Sequence, residues 1–87
     1  MDNNIIVNIT IPKVIGESGM LYLKKGTTIF DAIQGLEQHI LLDKIMKSKT
    51  EFNQFVLVYL NEQRVKNPLL PIDSNCCIDI IIPMAGG

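Results

Sequence analysis

Two alternating runs, one near each end of the chain, restrict what it can fold into more than anything between them. Residues 5–11 read Ile-Ile-Val-Asn-Ile-Thr-Ile. Ile5, Val7, Ile9 and Ile11 fall on one side of an extended backbone. Ile6, Asn8 and Thr10 fall on the other, which is mostly polar. Residues 76–82 read Cys-Cys-Ile-Asp-Ile-Ile-Ile. Ile78, Ile80 and Ile82 share one side, which is assigned to the core, and Cys77, Asp79 and Ile81 share the other. Successive strand side chains point to opposite faces, so each run predicts a half-buried strand.

The chain between them supplies partners for those strands. Pro12 closes the first run, and residues 13–19 connect it to a short strand at 20–23. That connection is too short for a crossover helix, so the two strands are expected to form a hairpin. Thr27 or Thr28 opens a helix; with Thr28 as N-cap, Asp31 stands three residues on, close to a capping box and at the favourable end of the dipole. Ile29, Ala32, Ile33, Leu36 and Ile40 then follow the helical stripe, while Gln34, Glu37 and Gln38 are expected to face water. Gly35 inside this pattern costs about 1 kcal/mol relative to Ala and permits close approach to the sheet. Residues 41–46 predict a possible continuation as a second short helix, and the polar stretch 47–53 ends the helical region.

Residues 55–60 read Phe-Val-Leu-Val-Tyr-Leu, apolar on both faces. This predicts a central strand, either covered on both sides or keeping one face for a partner. Residues 61–63 turn the chain, Arg64-Val65 predicts a very short strand, and residues 67–75 are a loop rich in turn formers. The resulting order is β-β-α-β-β-β, an α+β arrangement. A mixed sheet of four to five strands packs one face on one main helix. The first and last strands are expected to be parallel neighbours joined by a right-handed crossover. The other sheet face is left for solvent or a partner, and exposed apolar area there marks an interface.

Eighty-seven residues make one domain with one core. The net charge of −1 and the absence of a basic cluster argue against nucleic acid as the main partner. Uninterrupted apolar runs are too short to span a membrane, and no signal peptide is visible at the N-terminus. Cys76 and Cys77 are adjacent, so a bridge between them is strained and no disulfide framework exists. The cytoplasm is the expected compartment. One of these cysteines is expected to pack as a small hydrophobe and the other to sit at the strand's edge, with no metal role. His39 has no triad partners and is read as a surface histidine.

The last five residues, Pro83-Met84-Ala85-Gly86-Gly87, are a different kind of segment. Pro83 has no backbone N–H and stops the ladder. Gly86 and Gly87 have no Cβ and can enter a slot too narrow for other residues. Five extended residues reach about 17 Å, enough to carry a carboxylate into a partner's active site. Taken alone, such an end favours the reading as an ordinary frayed terminus.

The final strand running through Pro83 into Ala85-Gly86-Gly87, after the β-β-α-β-β order, resembles the ubiquitin-like β-grasp sulfur carriers. These are of the molybdopterin-synthase small-subunit and thiamine-thiazole carrier type. The likeness covers essentially the whole chain and is strongest over 56–87. Lys25-Gly26-Thr27-Thr28 before Ile29 also matches the lead into the helix. The family's usual acidic-Gly-acidic turn reads Asp73-Ser74-Asn75 here, and Pro12-Lys13-Val14-Ile15 replaces an aromatic and an arginine of molybdopterin-type members.

The resemblance implies a β-grasp domain over 1–82 and a flexible tail over 83–87. It implies that a ubiquitin-activating-like adenylyltransferase adenylates the Gly87 carboxylate with ATP, and that sulfur then replaces the adenylate. The thiocarboxylate passes to a sulfur-acceptor synthase subunit of molybdenum-cofactor or thiamine biosynthesis. Gly87 is the reacting group and Gly86 supplies clearance. Pro83, Met84, Ala85, Asp79 and Ile81 are expected to meet the partner. The chain is then a carrier, or the small subunit of a sulfur-transferring synthase, rather than an enzyme. It binds no cofactor of its own, because ATP belongs to the activator. A ubiquitin-like modifier joined to lysines and a plain interaction module are the alternatives.

Overall fold

The structure, a computed structural model, describes residues 3–83. The tail residues Met84, Ala85, Gly86 and Gly87, expected to meet or react with the partner, lie outside the described residues. The first alternating run forms β1 (Asn4–Thr10), paired antiparallel with β2 (Gly19–Lys24). Two short helices follow, α1 (Ile29–Gln34) and α2 (His39–Ile45). A small hairpin, β3 (Met46–Ser48) and β4 (Glu51–Phe52), leads to β5 (Leu57–Leu60), β6 (Gln63–Val65) and β7 (Cys76–Ile81). The main sheet has the order β2-β1-β7-β5-β6. β7 is its middle strand, parallel to β1 and antiparallel to β5. This is the expected mixed α+β sheet, with the expected hairpin and the expected parallel pair.

Alternation decides which side chains are buried. Ile5, Val7 and Ile9 of β1, Ile78 and Ile80 of β7, and Val58 of β5 all lie on the inner face and are buried. Ile29, Ala32 and Ile33 of α1 and Leu41 and Ile45 of α2 cover them. Ile11, Val56 and Ile72 close the ends of this core. Cys76 joins it, whereas Cys77 is exposed on the outer face of the middle strand rather than at an edge.

The structure differs from these expectations at several points, each for a physical reason. The main helix, expected to run to Ile40, ends at Gln34, and the second short helix starts earlier than expected, at His39. Thr28 Oγ1 does accept the Asp31 N–H at 3.1 Å, so the start is as predicted. The helix stops at Gly35, and Glu37 turns the chain with φ of 57°. The break resets the helical phase, so Ile40 is 68% exposed and Leu41 takes the buried position instead. Gln38 does not simply face water: its Nε2 donates to Glu17 O and its Oε1 accepts from Glu17 N, both at 2.9 Å. That pair fastens the β1–β2 connection to the start of α2, and it leaves α2 without a side-chain cap.

The polar stretch after α2 ends the helical region as expected, and it forms the β3–β4 hairpin, which the sequence did not indicate. The strand predicted at 55–60 is interior to the sheet, as expected, but shorter. It begins at Leu57, leaves Phe55 64% exposed, and lies between β7 and the edge strand β6. Its inner face is Val58, while Leu57 and Tyr59 take the outer side, each only half-buried.

The β5–β6 turn is tied to the middle strand. Asn61 and Glu62 both have positive φ, 49° and 72°, the left-handed pair that a two-residue hairpin turn requires. Asn tolerates this region better than most residues. Asn61 also extends the β5–β7 ladder beyond Leu60: its N–H donates to Cys77 O at 2.9 Å, and its Oδ1 accepts from Cys77 N at 2.9 Å. Asn61→Ala removes that acceptor and adds left-handed strain. It should lower unfolding free energy by about 2 kcal/mol in a urea titration, while Asn61→Gly should cost less.

Candidate functional site

The outer face of the sheet is the candidate site, because the helices cover only the other one. Its residues are fixed by register. Thr10 of β1 stands beside Asp79 of β7, Asp79 beside Tyr59 of β5, and Tyr59 beside Arg64 of β6. The next row toward the end of β7 pairs Ile81 with Leu57. On the other side, Asn8 stands between Cys77 and Met20, and Ile6 beside Tyr22. The face thus has two apolar regions, Ile81 with Leu57 and Tyr59, and Ile6 with Met20 and Tyr22. Polar Asn8, Thr10 and Asp79 separate them.

The first region sits where the chain leaves the fold. β7 ends at Ile81, Ile82 packs partly against the core, and Pro83 is exposed. Ile81 itself is 45% exposed. Beside it a shallow depression of about 340 Å³ is lined by Thr10, Tyr59, Glu62, Asp79 and Ile81 together with the Ile80 backbone strand. Of the predicted partner-facing residues, Asp79 and Ile81 are therefore brought together on one surface, with Pro83 directly beyond. Met84, Ala85, Gly86 and Gly87 lie outside the described residues. Residues 55–60 are apolar on both faces, and register assigns Leu57 and Tyr59 to this one. Glu62 was read only as a turn residue. The signal for it was the two-residue connection between Leu60 and Gln63, which aims residue 62 toward the outer side.

The chemistry of the rest is sparse. Among the described residues, no group of three or more His, Cys, Asp or Glu side chains is gathered as a metal site. His39 is exposed on α2, a helix on the opposite face of the sheet. Burial, and secondarily the neighbouring Cys77, push the Cys76 thiol above its ordinary range. A raised thiol pKa means less thiolate at neutral pH, so Cys76 is a poor nucleophile. No helix among the described residues is long and apolar enough to cross a membrane.

No protein-family model matches the chain, and no curated protein does. Solved structures match it in fold. The HVO 2177 protein of Haloferax volcanii, known from its solution structure, superposes with a TM-score of 0.74 at 16% identity. That match covers 98% of this chain and 89% of the other. The crystal structure of SAMP1 from Haloferax volcanii superposes with a TM-score of 0.71 at 15% identity, covering 97% of this chain and 99% of SAMP1. The fold is the ubiquitin-like β-grasp.

The burial difference between the adjacent cysteines has a direct readout. Iodoacetamide at neutral pH should modify one thiol of the folded protein, Cys77, and the second only after denaturation. Equal labelling of both in the native state would contradict this assignment.

Proposed function

We propose that this chain is a sulfur carrier that works through its terminal glycine. The Gly87 carboxylate attacks the α-phosphate of ATP in the active site of a ubiquitin-activating-like enzyme, and pyrophosphate leaves. Sulfide-level sulfur from a donor held by that machinery then attacks the acyl carbon and expels AMP, leaving a thiocarboxylate on Gly87. The thiocarboxylate sulfur attacks the acceptor in a synthase of the molybdopterin or thiazole type, and water cleaves the resulting acyl–sulfur bond to restore the carboxylate. The chain is substrate and carrier in this cycle, not the catalyst, and its activator binds the ATP.

The observation that carries the reading is the position of β7. The middle strand of a β-grasp sheet ends at Ile81, only two residues before Pro83 closes the described chain, and Met84-Ala85-Gly86-Gly87 follow in sequence. A terminus rooted in the middle strand has a fixed point of departure. The apolar patch of Ile81, Leu57 and Tyr59 lies at that point, and the acidic Asp79 and Glu62 border it. An exposed apolar patch with a polar rim is the anatomy of a docking surface. In the proposed cycle this surface holds the partner while the glycines, having no side chains, enter a narrow channel to the nucleotide. The fold likeness to SAMP1 and the HVO 2177 protein supports a ubiquitin-like role in general. Transfer of the same activated terminus to a lysine amine is the modifier alternative, and isopeptide-linked adducts would distinguish it.

The docking surface has its own test. Ile81→Asp removes the exposed apolar centre without touching the core, at a cost of about 1 kcal/mol or less in stability. ATP–pyrophosphate exchange by the activating enzyme should fall in kcat/KM by about tenfold or more. A variant with Gly87 deleted should give no exchange. Unchanged exchange with Ile81→Asp would place the docking surface elsewhere.

A further inference from the structure

The edge of the sheet at β6 has features that the tail and the outer face do not use. β6 pairs only with β5, so one side of its backbone carries no ladder partner in the sheet. Two depressions lie along it, and Arg64, Val65 and Lys66 wall both. The smaller, about 150 Å³, is completed by Phe52 and Val56 with Glu51, Asn53 and Gln54. The larger, about 510 Å³, has an apolar floor of Leu60, Val65 and Leu70. Its rim holds Arg64 and Lys66 and no carboxylate. In a chain whose net charge is −1, that is a local concentration of positive charge.

An unpaired edge beside one depression with an apolar floor and a smaller one of mixed lining is what an added strand requires. The backbone of an incoming peptide completes the ladder, and alternate side chains drop into the hollows. Positions between them point the other way, where Arg64 stands beside Tyr59 on the outer face. The cations favour carboxylates at those intervening positions. We propose that the β6 edge is a docking site for an extended acidic peptide. The peptide alternates aliphatic residues, which enter the two depressions, with aspartate or glutamate, which meet Arg64 and Lys66. This site is independent of the Gly87 chemistry. Cations on an edge strand also deter edge-to-edge aggregation, and that role alone predicts no peptide binding.

The test is a titration of the full ¹⁵N-labelled chain with an end-blocked peptide, Asp-Val-Asp-Val-Asp, up to about 1 mM. Amide shifts should concentrate on 51–54 and 60–70, and binding should weaken as salt rises. Joint replacement Arg64→Glu and Lys66→Glu should raise Kd by about tenfold or more, with a dispersed spectrum showing that the variant is folded. A peptide with proline in place of the middle Asp and one Val should not bind, since proline cannot donate to the ladder. If the double variant fails to fold, the salt dependence and the proline peptide still decide. No shifts, shifts centred instead on Tyr59 and Ile81, or affinity indifferent to salt and proline would overturn the proposal.

Discussion

The register of β7 against its two neighbours is the constraint on which the rest of the molecule depends. Parallel pairing with β1 and antiparallel pairing with β5 place Ile78 and Ile80 inward, and with them the whole inner face. The same pairing places Asp79 and Ile81 outward. A slip of one residue would exchange the two sets, burying a carboxylate and exposing core isoleucines. The cost of burying an unpaired carboxylate makes that slip prohibitive. The Asn61 amide reinforces the register at the start of β7, because it occupies both hydrogen-bonding groups of Cys77 that face it. Core and candidate surface are therefore set by one and the same alignment.

The helical layer depends on that sheet in turn. α1 has six residues and α2 seven, too short to be stable alone in water. Packing and fastening supply what length does not. The first N–H groups of α1 are met by the following loop: Ile29 N donates to Leu70 O and Phe30 N to Pro68 O. The Gln38 carboxamide holds the start of α2 to the β1–β2 connection. Gly16 and Gly19 let these pieces approach, since a Cβ at Gly16 would fall 2.7 Å from Gln38 Oε1 and one at Gly19 2.9 Å from Leu36 Cδ2.

Much of this was legible from the residues, and the reasons for the exceptions are physical. Strict period-two alternation at 5–11 and 76–82 defines both face and partner, so β1 and β7 were read with their burial correct. Thr28 with Asp31 marked the start of α1 because capping is a local interaction. The helix break was not legible: Leu36 and Ile40 extend the stripe numerically, but Gly35 and the positive φ of Glu37 end it. Gln38 was misread because its partner, Glu17, is far off in sequence. Strand 55–60, apolar on both faces, carried no periodicity to say which set was inward. Only its register with β7 could assign Leu57 and Tyr59 to the outer face. Asp79 and Ile81 were legible as a surface pair because they alternate with core isoleucines. Glu62 joins them through a turn geometry with no hydrophobic signal.

In the proposed cycle, a fold of this kind, with a patch at the root of its last strand, serves as a rigid platform, while the chemistry belongs to the terminal carboxylate and its activator. The measurement that tests this most directly is the intact mass of the chain after incubation with a ubiquitin-activating-like enzyme, ATP and a sulfur donor. The account predicts a mass increase equal to exchange of one oxygen for sulfur, absent when Gly87 is removed. An unchanged mass with activators of the molybdopterin and thiazole types alike would contradict it.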